Sequence, residues 1–146
     1  MRYYRYAENG SLGHMLKAFG KLNECVVINY ATKILDGLCY LHQNQVIHYD
    51  LKAANIFTTK DGKVKLSDFG VPLKHKVSVE HETKGIAGSL NWMAPEVIEM
   101  KGISTKSDIW SLACTVIELL TGQPPYSNIE SVASGISSFL SKMFPS

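Results

Sequence analysis

The sequence lacks long apolar runs and a strong excess of charge of one sign. It has no stretch of about 18 apolar residues and no cationic leader before an apolar block, so we expect neither a membrane span nor a signal peptide. The formal net charge is only +2 over 146 residues. Nucleic acids and acidic membranes attract a more basic surface. We therefore predict a cytoplasmic protein that binds neither nucleic acid nor membrane.

Cysteine is also scarce. The three cysteines, Cys25, Cys39 and Cys114, are widely spaced, and no C-x-x-C pair occurs. This spacing argues against disulfides and a zinc site. Each cysteine lies in an apolar segment of helical period, so we expect three buried free thiols in a reducing compartment.

What is present is enough for one domain with a hydrophobic core, since 45% of the residues are hydrophobic and 19% are charged. A short amphipathic helix is predicted for Leu12–Phe19, ended by Gly20. Asn23 is a candidate N-cap of a longer helix. The apolar residues of that helix recur at spacings of three and four: Val27, Tyr30, Ala31, Ile34, Leu38 and Leu41.

A second long helix is predicted to begin at Thr105 and to stop at Gly122. Asp108 follows Thr105 by three residues, as in a capping box. The helix is apolar on nearly every face, which predicts that it is buried on all sides.

Short strands are predicted at Val46–Ile47, Ile56–Thr58 and Val64–Leu66, the last two forming a hairpin around the turn at 60–62. The most distinctive polar residues lie among these strands. They read His48-Tyr49-Asp50-Leu51-Lys52-Ala53-Ala54-Asn55, followed by Asp68-Phe69-Gly70. This order resembles the catalytic loop and metal-binding motif of protein kinases, H-R-D-x-K-x-x-N and then D-F-G, with Tyr49 in place of the arginine.

The resemblance implies phosphoryl transfer with ATP and Mg²⁺ as cofactors. In that chemistry the protein mainly positions charged groups. Asp50 would accept the proton of the attacking hydroxyl, and Lys52 would place a positive charge near the transferring phosphate. Asn55 and Asp68 would supply the oxygen ligands that Mg²⁺ prefers. His48 is expected to be structural and to pack against Phe69.

The residues 6–12, Tyr-Ala-Glu-Asn-Gly-Ser-Leu, resemble the hinge between the two lobes of a kinase. On that reading the backbone of Arg5 and Ala7 faces the adenine, Ser11 lies near the ribose and Phe57 lies beneath the ring. An edge strand followed by a turn is the alternative interpretation of this segment.

The smaller lobe of the family precedes the hinge, and no G-x-G-x-x-G occurs in this sequence. The expected fold is therefore α+β and mainly helical, a kinase-like C-terminal lobe with short β-hairpins and without the N-terminal lobe. We assign residues 1–128 to a partial kinase domain. Residues 129–146 form a divergent serine-rich tail, for which a short helix is one interpretation.

The polar segment from Val71 to Ser89 is predicted to be a mobile loop. Residues 88–96 resemble the segment that receives the substrate peptide, and Ser89 together with Lys52 indicates serine/threonine substrates. Glu96 would lack the arginine with which it pairs in the family. The resemblance also implies that Asp108 accepts hydrogen bonds from the catalytic-loop backbone, because a buried carboxylate needs donors.

Among kinases the sequence is most similar to the STE group, in particular to MAP kinase kinase kinases and fungal septation kinases. Two functions are left open. One is a serine/threonine kinase fragment that acts on a protein substrate or a partner kinase. The other is an inactive binding module that associates through the face left by the missing lobe.

Overall fold

A computed structural model of the protein describes residues 9–68, 71–72 and 90–127. The α-helices of this part are α1 (Leu12–Phe19), α2 (Glu24–Gln43), α3 (Pro95–Ile98) and α4 (Thr105–Thr121). The predicted bounds of α1 are confirmed, as is the N-cap of α2, where the Asn23 side chain accepts a hydrogen bond from Val26 N at 2.9 Å. The predicted tail helix lies outside the described residues.

The strands form two small antiparallel sheets. The predicted hairpin of β2 (Ile56–Thr58) and β3 (Val64–Leu66) is confirmed. The other sheet is not a hairpin, since β1 (Val46–Ile47) pairs with β4 (Val71–Pro72). The prediction of a loop from Val71 was therefore wrong for its first two residues, which supply a backbone partner to the edge of β1. Residues 73–89 of that loop lie outside the described part.

The core lies between α2, α4 and the hairpin. Helix α2 packs across α4 on one side and against β3 on another. Burial of these apolar side chains provides most of the stabilisation, at about 1.5–3 kcal/mol for each large one. The largest apolar side chains that are almost fully buried are Leu12, Ile34, Leu38, Ile47, Leu51, Ile56 and Leu119.

Helix α4 differs from its prediction. Ile109, Ile117 and Leu120 are 47%, 45% and 38% exposed, so the helix is not buried on all sides. Its buried face includes polar side chains instead. The hydroxyls of two of them, Ser111 and Thr115, donate to backbone carbonyl oxygens one turn earlier, which satisfies them without solvent.

The predicted start of α4 at Thr105 is confirmed, but its N-cap was predicted one residue late. Ser104 is the N-cap, and its backbone N–H donates to Ser107 Oγ at 3.1 Å. Asp108 therefore lies one residue beyond the capping position, and its carboxylate accepts hydrogen bonds from the backbone of His48 and Tyr49 instead. Ser107 Oγ also donates to Glu96 Oε1 at 3.1 Å, so the carboxylate that was expected to lack a partner has a neutral one.

Only one of the three cysteines is buried, although all three were expected to be. Cys114 is buried, whereas Cys25 and Cys39 are exposed, and all three are free thiols. Burial raises the pKa of the Cys114 thiol to about 11, which keeps it protonated and unreactive at neutral pH. Among the described helices, none is both long enough and apolar enough to cross a membrane.

Two glycines in helices provide a matched test of the packing around the loop of residues 48–55. A Cβ on Gly13 of α1 would lie 3.0 Å from Ala54 Cα, a backbone atom, whereas a Cβ on Gly37 of α2 would meet the flexible end of Leu66 at 3.1 Å. We expect Gly13→Ala to lower the free energy of unfolding by about 1–3 kcal/mol because the backbone cannot move aside. Gly37→Ala should leave it unchanged or raise it by up to about 1 kcal/mol through helix propensity.

Urea unfolding of both variants checks this expectation. Equal midpoints for the two variants would contradict the close approach of α1 to the catalytic loop.

Candidate active site

The backbone of residues 48–49 is held by one buried carboxylate. Asp108, 1% exposed, accepts hydrogen bonds from His48 N at 2.8 Å and from Tyr49 N at 2.9 Å. His42 Nε2 at the end of α2 lies 2.7 Å from Asp108 Oδ2. Tyr49 has a φ of 73°, a conformation that is unfavourable for a bulky residue and needs such support. The contact between Asp108 and this backbone agrees with the prediction, whereas His42 was not predicted.

His48 is buried beneath the loop, with 1% of its surface exposed. Its Nδ1 accepts a hydrogen bond from Asp50 N at 3.3 Å. Burial lowers the pKa of His48 below its ordinary value, although the carboxylates of Asp108, Asp50 and Asp68 oppose this shift. A neutral ring that supports the backbone fits the predicted structural role. Its expected contact with Phe69 lies outside the described residues.

Asp50, Lys52 and Asn55 lie together, as the sequence pattern predicted. Asn55 Nδ2 donates to the backbone oxygen of Asp50 at 2.8 Å and to Asp50 Oδ2 at 3.0 Å. Lys52 Nζ lies 3.5 Å from the same Oδ2. The Asp50 side chain is 36% exposed, so a substrate can reach it. Since Nδ2 of Asn55 makes both bonds, its Oδ1 is the atom that can act as a metal ligand.

Asp68 is brought to the catalytic loop by the residue before it. Ser67 donates to the backbone oxygen of Asn55 through its N–H at 2.9 Å and through its hydroxyl at 3.2 Å. Asp68 is exposed and has a φ of 55°, an uncommon conformation outside glycine that Asp tolerates better than most residues. The two predicted magnesium ligands therefore lie on neighbouring, hydrogen-bonded segments.

The predicted adenine and ribose contacts are only partly described. Ser11 is 8% exposed and caps α1, because its Oγ accepts a hydrogen bond from His14 N at 3.1 Å. Phe57 lies in the middle of β2, half-buried and next to Ser11 through a backbone bridge. These positions leave the ribose and adenine roles as predictions. Arg5, Ala7 and Ser89 lie outside the described residues.

A sequence model of the protein kinase domain matches residues 3–143, which is nearly the whole chain. The chain belongs to the protein kinase domain family. The match includes the loop 48–55 and Asp68, whose arrangement is described above, and it extends over α4. The kinase domain is thus identified by its full sequence pattern as well as by its catalytic-loop motif.

Named relatives of this kinase domain occur in fungi, plants and amoebae. Cell division control protein 7 of Schizosaccharomyces pombe is 54% identical over 86% of the chain and 12% of its own length. MAP3K epsilon protein kinase 1 of Arabidopsis thaliana is 52% identical over 86% of the chain and 9% of its own length. A Dictyostelium discoideum protein named a probable serine/threonine-protein kinase is 49% identical over 88% of the chain and 26% of its own length.

The chain therefore spans about a tenth to a quarter of the length of these relatives. Two of the three are named as protein kinases, one of them as a probable serine/threonine-protein kinase.

One carboxylate of the kinase domain was missed by the sequence reasoning. Glu118 of α4 is 8% exposed, and its Oε2 accepts hydrogen bonds from Ala53 N at 3.1 Å and from Trp92 Nε1 at 2.8 Å. Burial raises the pKa of Glu118, and the two hydrogen bonds and Lys52 oppose this shift. The signal was present in the sequence, since Glu118 stands between apolar residues of a helix that was predicted to be buried.

Proposed function

We propose that this chain contains the catalytic residues of a serine/threonine protein kinase that transfers the γ-phosphate of ATP to protein hydroxyls when the domain is complete. The observation that carries the proposal is the arrangement of Asp50, Lys52 and Asn55 on one loop. The side chains of Lys52 and Asn55 both lie within 3.5 Å of Asp50 Oδ2. Such an arrangement suits a reaction that depends on positioned charge.

Each of these side chains has a role that its surroundings support. Asp50 accepts the proton of the substrate hydroxyl, because its carboxylate is accessible and oriented by Asn55. Lys52 stabilises negative charge on the transferring phosphoryl group. Its ammonium group lies 3.5 Å from Asp50, so the charge and the base act at the same place.

The available oxygen atoms fit Mg²⁺. Asn55 Oδ1 and the Asp68 carboxylate are hard ligands, and Mg²⁺ takes one or two protein oxygens with phosphate oxygens and water. No group of three or more His, Cys, Asp or Glu side chains suited to a metal occurs in the described ranges. When bound with ATP, Mg²⁺ neutralises charge on the phosphates. Asn55 and Asp68 are the residues that hold it.

The finer assignments extend this proposal. The described residues correspond to the C-terminal lobe, and the backbone of Arg5 and Ala7, with Ser11 and Phe57, forms the nucleoside side of the ATP site. The kinase belongs to the STE group and acts in the cytoplasm on a protein substrate or a partner kinase. The similarity to a MAP3K epsilon protein kinase supports the group assignment.

Thermal unfolding with and without Mg·ATP tests the proposal. A ligand at 100 times its dissociation constant adds about 2.7 kcal/mol to the free energy of unfolding, which for a chain of this size raises Tm by roughly 5–10 °C. We expect this shift in the wild type and its loss in Asp68→Ala. The exposed Asp36 of α2 provides a matched control, since Asp36→Ala should retain the shift.

A second candidate function is an inactive binding module for a partner kinase. The G-x-G-x-x-G loop that covers the ATP phosphates in kinases does not occur in the 146 residues, so nucleotide binding by this chain decides between the two candidates. A cooperative unfolding transition without any shift by Mg·ATP would support this candidate and contradict the first.

A further inference from the structure

Glu118 connects two parts of the proposed active site that are distant in sequence. Its Oε2 accepts hydrogen bonds both from the backbone N–H of Ala53 in the catalytic loop and from the indole N–H of Trp92. We propose that Glu118 is a positioning residue that holds the catalytic loop and the Trp92 segment in one arrangement. The inference rests on the proposed kinase function, because positioning has a purpose only if the loop carries out phosphoryl transfer.

The bond to Ala53 acts on the residues that do the chemistry. Ala53 lies between Lys52 and Asn55 and begins a turn of 3₁₀ helix that ends at Asn55. Ala53 is fully buried, and a buried N–H without an acceptor costs about 1–3 kcal/mol. The Glu118 carboxylate supplies that acceptor, so it fixes the backbone from which Lys52 and Asn55 project.

The hydrogen bond to Trp92 links the same carboxylate indirectly to Lys52, because the ring of Trp92 lies beneath the Lys52 ammonium group. Lys52 Nζ lies 5.9 Å from the centroid of the Trp92 ring, within the range of a cation–π interaction. Helix α4 holds Trp92 at a second point, because Ser111 Oγ lies 2.8 Å from the Trp92 backbone oxygen and 3.1 Å from that of Ser107 and shares its one hydrogen between the two. The position of Trp92, and with it the surroundings of Lys52, is therefore set by Ser111 and Glu118.

A substitution by glutamine separates hydrogen bonding from charge. Both donors reach one oxygen of Glu118, and the single amide oxygen of glutamine can accept two hydrogen bonds. Leucine has a similar size but no acceptor. Glu118→Gln should therefore retain the positioning, whereas Glu118→Leu should remove it.

Amide hydrogen exchange of the full chain tests the inference without requiring activity. We expect Glu118→Leu to speed exchange at Ala53 and Asn55 at least tenfold and to shift the emission of Trp92. Glu118→Gln should stay within about threefold of the wild type, since it retains both hydrogen bonds. Glu99→Leu is the control, because Glu99 is exposed and forms an ion pair with Lys101.

Wild-type exchange and emission in a folded Glu118→Leu variant would overturn the inference. If that variant does not fold, Trp92→Phe decides, since it removes only the indole donor and keeps an aromatic ring. The Ala53 amide should then exchange two to five times faster than in the wild type, and unchanged exchange would overturn the coupling of the two bonds through Glu118.

Phosphate transfer gives an independent readout. Where the wild type transfers phosphate, Glu118→Leu should lower kcat at least tenfold and Glu118→Gln should restore it, whereas failure of Glu118→Gln to restore it would overturn the role of the hydrogen bonds. A complete wild-type domain without phosphate transfer would contradict the proposed function alone, because exchange still decides whether Glu118 positions the loop.

Discussion

Replacement of Asp108 by alanine is expected to lower the free energy of unfolding by about 3–5 kcal/mol, as for removal of one member of a buried charged network. The carboxylate accepts hydrogen bonds from the backbone N–H groups of His48 and Tyr49 and contacts His42. Without it two backbone donors lose their acceptor, and the positive φ of Tyr49 loses its support. Urea unfolding, with amide exchange at residues 48–55, measures both effects.

Two variants sharpen this expectation. Asp108→Asn keeps one acceptor oxygen and should destabilise the protein less than alanine does, because only some of the bonds are lost. Asp36→Ala, at an exposed position of α2, should change stability by no more than about 0.5 kcal/mol. If Asp108→Ala unfolds at the wild-type urea concentration with unchanged exchange, then Asp108 does not organise the catalytic loop.

The sequence predicted the elements with a strong local signal. The limits of α1 followed from an apolar period ended by Gly20, and the hairpin followed from two short strands around a turn. The N-cap of α4 was misplaced by one residue because Ser104 and Thr105 are both good N-caps. The pairing of β4 with β1 could not be predicted, since it joins residues that are distant in the sequence.

The exposure of Cys25 and Cys39 could have been predicted more carefully. On a helix of 3.6 residues per turn they lie roughly 120–160° around α2 from Val27, while the buried residues Ile34 and Leu38 lie close to it. The apolar character of the segment was given more weight than the angle around the helix. The exposed apolar residues of α4 were wrongly predicted to be buried for a related reason. The buried face of this helix carries polar side chains instead, which form hydrogen bonds with the backbone of α4 and of the catalytic loop.

The sequence predicted the residues of the candidate site that would take part in the reaction, but not the residues that hold them in position. Asp50, Lys52, Asn55 and Asp68 were recognised because their types and spacing form a pattern. His42, Trp92 and Glu118 act through contacts with residues 26 to 66 positions away, which no local pattern encodes. The role of Asp108 was implied by the family resemblance, and the rule that supports it, that a buried carboxylate needs donors, applies equally to Glu118.

In the complete domain, replacement of Asp50 by asparagine is expected to lower the rate of phosphate transfer by about 10²–10⁴-fold, the usual contribution of a general base. Asparagine has nearly the same shape and can still accept the hydrogen bond from Asn55, but it cannot take a proton at neutral pH. Because the Asp50 side chain is 36% exposed, the variant should fold normally. Initial rates of transfer from ATP to a protein acceptor rich in serine and threonine provide the measurement.

The comparison with nucleotide binding separates the base from the metal ligands. Asp50→Asn should retain the rise in Tm with Mg·ATP, whereas Asp68→Ala should lose both that rise and phosphate transfer, because Asp68, unlike Asp50, is assigned to the metal. Asp36→Asn should match the wild type in both measurements. A folded Asp50→Asn variant that transfers phosphate at the wild-type rate would remove Asp50 from the role of base, and the proton would then leave through the phosphate itself or through solvent.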